Sequence, residues 1–246
     1  MNNDMEVLEH WLTRGSKIVA SIAPSYVVEF DERPKKIAGA LKSLGFYGVE
    51  ETIAVLPEII EARHRAVKKS NNPVIFNSCP VVWNLIETRY PHLKKFILNL
   101  PSPMILHARR LKRKFNDAKI VFLGPCMAKK WEQSRFYNET TLDLVLTFRE
   151  IREVFKRHGI SISQQNEENF LSDAPLWVKL GALVYYKSGI ESVIKLLDNW
   201  EYEKPDCLAM ELLACEGGCI NGPGITSTKT LEQRTSFYQK RILAFD

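Results

Sequence analysis

Four of the chain's five cysteines fall in three separated blocks: Asn77-Ser78-Cys79-Pro80, Gly124-Pro125-Cys126-Met127-Ala128-Lys129-Lys130 and Cys215-Glu216-Gly217-Gly218-Cys219. Thiolates are soft ligands that select iron–sulfur clusters, zinc or copper(I) over hard cations. A Gly-Gly step between two thiols lets the backbone fold tightly around a bulky group and offer it free N–H donors. Structural zinc sites use two close cysteine or histidine pairs. This chain has one close pair, while Cys79 and Cys126 stand alone, each beside a proline. The pattern favours an iron–sulfur cluster over zinc and over four unrelated buried cysteines. Cys207, in Pro205-Asp206-Cys207-Leu208, reads as a small core residue.

The remaining composition narrows the class. At 246 residues the chain can bury a sizeable core, and 45% hydrophobic with 26% charged residues is ordinary for a globular protein. No apolar run is long enough to span a membrane. The start, Met1-Asn2-Asn3-Asp4-Met5-Glu6, lacks the apolar core of a secretory signal, so a cytoplasmic location is expected. An odd cysteine count suits four ligands plus one spare better than a disulfide framework. Net charge is +5, with the densest positive run at Arg109-Arg110-Leu111-Lys112-Arg113-Lys114. That run reads either as the solvated face of a helix or as a docking patch for an acidic partner. Nucleic acid is disfavoured, because no aromatic residues interleave the run.

Alternating strands and helices must position these residues. Strands are expected at 17–23, 47–51, 73–77, 119–123, 142–147 and 207–213. Helices are expected at 33–44, 55–69, 82–90, 104–115, behind the 142–147 strand to about 157, 189–199 and 230–243, the last packing across the outside. Residues 159–175 turn polar and read as a loop. No linker separates independent domains, so residues 1–246 are expected to form one α/β domain. In parallel α/β sheets ligands collect at the C-terminal ends of strands, and three strands end within a few residues of a cysteine.

The blocks resemble the signatures of the catalytic domain of [FeFe]-hydrogenases. That family carries Thr-Ser-Cys-Cys-Pro-x-Trp, Met-Pro-Cys-x-x-Lys-Lys-x-Glu and Glu-x-Met-x-Cys-x-Gly-Gly-Cys. Here the matching stretches run from Phe76 to Trp83, Gly124 to Glu132 and Glu211 to Cys219. Ala23-Pro24-Ser25, Leu44-Gly45-Phe46, Tyr90-Pro91 and Ser102-Pro103-Met104 extend the likeness over about residues 16–240. The resemblance implies a two-lobed fold of mainly parallel sheets flanked by helices, with the cofactor between the lobes. It also implies the H-cluster, a [4Fe-4S] cubane joined through a cysteine sulfur to a two-iron unit carrying carbon monoxide and cyanide. By position, Cys79, Cys126, Cys215 and Cys219 would hold the cubane, and Cys219 would bridge. Lys129 would hydrogen-bond one cyanide; Ala23, Pro24 and Ser25 would cradle the other. Met104 would line the same pocket, where a glutamine often sits.

Several positions depart from the family. The first of its paired cysteines, which carries protons, is replaced by Ser78, whose hydroxyl does not ionise near neutral pH. Glu58, Glu61 and Arg65 match its outward proton relay, but the serine linking them is replaced by Leu98. The methionines that match Gly124 and Leu213 are lost, and Leu180 to Gly189 is a loose match to its glycine-rich segment. No ferredoxin-type Cys-x-x-Cys-x-x-Cys run occurs. Electrons are therefore expected to enter at the cubane from an acidic ferredoxin-like carrier or a partner subunit, with maturation proteins supplying the two-iron unit. Two functions follow: slow or sensory interconversion of protons with dihydrogen, or a degenerate homologue that keeps only the [4Fe-4S] cluster for electron transfer or assembly.

Overall fold

The structure is a computed structural model, and it describes residues 3–30, 34–135, 141–172, 184–203 and 207–243. Its strands form two separate, wholly parallel sheets. Sheet A has the order β2 (Gly48–Glu51), β1 (Ile18–Ile22), β4 (Lys119–Gly124), β5 (Leu144–Thr147). Sheet B has the order β3 (Val74–Phe76), β7 (Ala209–Leu213), β6 (Val184–Ser188). Parallel strands need helical crossovers that cover both faces, which explains the unbroken apolar runs Ile18-Val19-Ala20 and Ile120-Val121-Phe122-Leu123. Each sheet has its own core. The larger one packs β1, β4 and β5 against α1 (Asn3–Thr13), α2 (Tyr26–Phe30), α3 (Pro34–Leu44), α6 (Pro103–Lys114) and α8 (Phe148–Arg157). The smaller packs β3 and β7 against α5 (Pro80–Arg89), α9 (Ile190–Asp198) and α10 (Trp200–Glu203). The fold is thus two α/β lobes of mainly parallel sheet, as expected.

The alternation of elements matches the expectation closely, with α1, α2, α7 (Ala128–Arg135), α10 and β6 added. Helix α1 closes the β5 edge by burying Leu8 and Met5, where the sequence suggested only an acidic start. Helix α7 follows Cys126 directly. Strand β6 lies in the stretch read as a loose glycine-rich segment, whose residues 180–183 fall outside the described ones. The polar loop is pinned along α3 and β2: Leu171 N donates to Val49 O at 2.8 Å and Lys36 Nζ to Ser163 O at 2.7 Å. Gly39 on α3 is required there, since a Cβ would lie 1.9 Å from Asn166 O. Helix α11 (Leu231–Leu243) packs against α2 and the turn at Gly218–Asn221, and so lies over the site end of the molecule.

Register fixes where the blocks emerge. Ile22 on β1 pairs with Leu123 on β4, so Ala23-Pro24-Ser25 and Gly124-Pro125-Cys126 leave sheet A side by side. Phe76 on β3 pairs with Glu211 on β7, which brings Cys79 and Cys215 out of sheet B as neighbours. All four segments exit at strand C-termini.

Candidate metal-cluster site

Cys79 is the N-cap residue of α5. Pro80, separated from the end of β3 by three residues, stands at the first helical position, where its missing N–H costs nothing. Cys126 stands just before α7, and the amides of Ala128 and Lys129 hydrogen-bond its sulfur. Cys215 and Cys219 flank a turn in which Gly217 has φ +71° and Gly218 φ +81°, a left-handed stretch closed to most other residues. A Cβ on Gly218 would also lie 2.7 Å from the Tyr186 hydroxyl and 2.9 Å from Leu213 Cδ1. The second and third blocks are bolted together by Gly224 N, which donates to Pro125 O at 2.6 Å.

The four thiols form one electrostatic group. Each of Cys79, Cys126, Cys215 and Cys219 acts on the other three. Burial pushes the Cys126 and Cys215 thiols up, and pushes Cys219, crowded by protein although its area is not fully covered, up to about 12. Ionising Cys126, Cys215 and Cys219 together needs a strongly positive body among them. Among the described residues no three His, Cys, Asp or Glu side chains lie close enough to clasp a single metal ion. Four soft donors from three strand ends suit an iron–sulfur cluster by their chemistry.

Lys129 is the cation of the site. Its Nζ donates to Glu132 Oε2 at 2.6 Å and to the Ser78 carbonyl at 3.1 Å, joining the first and second blocks. Burial opposes its charge, but Glu132 and the thiols of Cys219 and Cys79 outweigh burial and hold its pKa above the ordinary lysine value. Lys130 turns away to Asp4 and Glu150. In the turn after β1, Ser25 is buried with its Oγ free of any hydrogen-bond partner among the described residues; Ser102 Oγ, at the start of α6, is likewise unpartnered. The orphaned Ser25 hydroxyl, in the turn that leaves sheet A beside Pro125 and Cys126, matches the needs of a polar group bound there, so the residues present fit the cofactor.

Other expected residues fall elsewhere. Met104 is buried in the core of the larger lobe. Glu58 and Glu61 lie on the solvent face of α4 (Leu56–Lys69), where they pair with Arg110 and Arg65 respectively, whereas Ser78 Oγ is held by Arg63. Leu98 packs apolar contacts onto Val74 and Phe76. The residue of α4 that does reach Ser78 is Arg63, through Nη2 at 2.6 Å, and it also pairs with Glu211. Sequence reading missed Arg63 because it lies two positions before Arg65, and helix spacing alone left the inward face open between them. Gly124 is not left bare: a Cβ there would sit 2.4 Å from the Phe122 ring, which covers the position from two residues up the same strand face. The basic run is largely consumed inside the molecule. Arg110 engages Glu50, Glu58 and Ala54 O, Lys114 reaches Glu50, and Lys112 reaches Asp143 and Ala118 O where β4 and β5 begin. Helix α6 thus carries its cations away from the thiols. Beside Cys79 and Cys126, by contrast, Val81, Met127 and Trp131 stand exposed, with Trp131 stacked edge-on to Trp83.

Comparison with known proteins decides the family. Residues 16–176, more than half of the chain, match the model described as "Iron only hydrogenase large subunit, C-terminal domain". The chain belongs to this family. Among hydrogenase relatives, it is 27% identical over 170 residues to the NADP-reducing hydrogenase subunit HndD of Solidesulfovibrio fructosivorans. It is 30% identical over 148 residues to the periplasmic [Fe] hydrogenase large subunit of Nitratidesulfovibrio vulgaris. These matches take in 60% and 52% of this chain but only 29% and 35% of the relatives' lengths. The fold is that of [FeFe]-hydrogenase structures. A variant of HydA1 from Chlamydomonas reinhardtii superposes with TM-score 0.77 at 18% identity, covering 94% of this chain and 88% of that one. A second [FeFe]-hydrogenase structure, from work on oxygen inactivation, gives TM-score 0.76 at 17% identity, with the same coverage of both chains.

Proposed function

We propose that the chain is a minimal [FeFe]-hydrogenase that interconverts protons and electrons with dihydrogen. Cys79, Cys126, Cys215 and Cys219 would hold a [4Fe-4S] cubane, with Cys219 the ligand nearest a two-iron unit carrying carbon monoxide and cyanide. The observation that carries the reading is the convergence of these four thiols with one buried ammonium, Lys129, fixed by Glu132. When bound, the two-iron unit supplies a Lewis-acidic iron and the amine base of its dithiolate for heterolytic splitting of dihydrogen.

The chain's own residues bind and orient. Lys129 would supply a fixed donor to one cyanide of the group, while Ala23, Pro24 and the free Ser25 hydroxyl would cradle the other. The Phe122 ring and Leu213 exclude water from the side where the family's methionines stand. Ser78 replaces a thiol with a hydroxyl held by Arg63, which predicts slow turnover suited to a sensory role. Maturation proteins supply the two-iron unit. Electrons come from a small carrier or partner subunit, and the exposed Val81, Met127 and Trp131 beside two cubane ligands suit its approach better than the internally paired basic run.

A second reading, a homologue that carries only the cubane for electron transfer or assembly, is favoured by the tie between Ser78 and Arg63. Hydrogen evolution separates the two. Chain co-produced anaerobically with hydrogenase maturation proteins and fed by a reduced viologen is expected to release dihydrogen well above the background of a Cys219→Ser variant. A cubane signal by electron paramagnetic resonance with no dihydrogen would select the second reading.

A further inference from the structure

Between the first and third cysteine blocks lies a polar cluster that cubane ligation does not use. Arg63 stacks over the Phe76 ring, 3.9 Å from its centroid. It donates through Nη2 to Ser78 Oγ at 2.6 Å and pairs through Nη1 with Glu211 Oε2 at 3.1 Å. Glu211 on β7 is in register with Phe76 on β3 and Tyr186 on β6, so the three side chains share one face of sheet B. Its Oε1 is buried with no hydrogen-bond partner among the described residues. With Arg63 filling a lone pair of Ser78, the serine O–H is free to donate to Glu211. Burial pushes the Glu211 carboxyl up; Arg63, the Ser78 hydroxyl and Lys129 oppose this without cancelling it. A carboxyl raised in this way moves toward the range useful for proton exchange. The groups facing it are Arg63 from α4, Ser78 after β3, Lys129 from α7 and Tyr186 from β6. Glu58 and Glu61 stand in solvent, and apolar Leu98 occupies the position that would link them.

We propose that Glu211 is the carboxyl that exchanges protons with Ser78, that Arg63 is the positioning residue holding the two in register, and that this pair replaces the Glu58–Glu61 route. The proposal rests on the hydrogenase reading of the site. In the step, the Ser78 hydroxyl turns from Glu211 toward the cleft and gives its hydrogen to the amine base that the two-iron unit of the proposed function would supply, while Glu211 passes its carboxyl proton to Ser78 Oγ, so the serine never ionises. Glu211 is left as a carboxylate paired with Arg63. It regains a proton from the solvent side, where Tyr186 stands half exposed.

Infrared difference spectroscopy in light and heavy water reads protonated carboxyls directly. It is applied to the chain with the cubane alone and with the complete cofactor. One carboxyl band is expected to shift on cubane reduction, to vanish in Glu211→Gln and to persist, displaced, in Glu211→Asp. The aspartate keeps a partner for Arg63, so the test survives if the glutamine variant fails to fold. With the complete cofactor and its carbonyl bands intact, Glu211→Gln is expected to lower hydrogen turnover about tenfold or more, against less than about threefold for Glu58→Gln/Glu61→Gln. A redox-linked band that survives Glu211→Gln, or a larger loss from the Glu58/Glu61 variant, overturns the proposal. Absence of carbonyl and cyanide bands from every variant defeats the hydrogenase reading instead. The cubane-only spectra then decide on Glu211: a redox-linked band lost in Glu211→Gln supports its role, and no such band overturns it.

Discussion

Ser21, His107 and Glu50 form a chain of polar side chains with no solvent-exposed surface. Ser21 Oγ lies 2.7 Å from His107 Nδ1, and Glu50 Oε1 lies 3.1 Å from Nε2. The geometry imitates a nucleophile–base–acid triad, but full burial denies it any substrate, and its work is to tie α6 to β1 and β2. Burial raises the Glu50 carboxyl; His107, with help from Arg110, outweighs this and holds its pKa below the ordinary 4.5. Breaking a buried charged pair by removing one partner costs about 3–5 kcal/mol, and Glu50→Gln is expected to lose stability near the low end of that range. The sign with pH follows from the depressed pKa. The stabilisation is present above the unfolded value and is lost as pH falls from there through the lower folded value. Urea midpoints at pH 7 and pH 4 should show the gap between parent and Glu50→Gln narrowing in acid, and a constant gap would contradict this assignment. Nothing in the sequence pointed to the chain, because its members are 57 and 86 positions apart.

At the scale of elements, tight turns at strand ends shape the site. Gly218 has φ +81° and is hemmed in by Tyr186 and Leu213, whereas Gly224 meets the backbone of Pro125. Side chains give way more readily than backbone. Gly218→Ala is therefore expected to weaken cluster retention, and Gly224→Ala to abolish it by parting the second and third blocks; iron content per chain after anaerobic reconstitution checks the order. Equal retention in both variants would show that the turns do not hold the thiols in place. The same elements show what sequence makes legible. Strands β1 and β4 were plain because burial on both faces leaves them unbroken apolar runs. Strand β6 was hidden because none of its residues is fully buried, and its Val184-Tyr185-Tyr186-Lys187-Ser188 alternates too weakly to stand out. Helix α1 was passed over because its polar residues mask the buried pair Met5 and Leu8.

Taken whole, the molecule is two parallel-sheet lobes whose strand ends meet around four thiols and a buried lysine. The cysteine blocks were legible because ligand chemistry demands particular residues at particular spacings. The proton path was not, since α4 carries acidic and basic residues all round and only tertiary packing selects Arg63 over Arg65. The basic run misled for a related reason: charge is visible in a sequence, but Glu50 and Asp143, which take up that charge, come from distant strands. No described helix is long and apolar enough to cross a membrane. The central claim is that Cys219 joins a cubane to a two-iron unit beside Lys129. Infrared spectroscopy of the chain matured with the two-iron unit tests it most directly. The account predicts sharp cyanide and carbon monoxide bands, with the cyanide bands shifted in Lys129→Ala; a chain that holds a full cubane yet shows neither kind of band would contradict it.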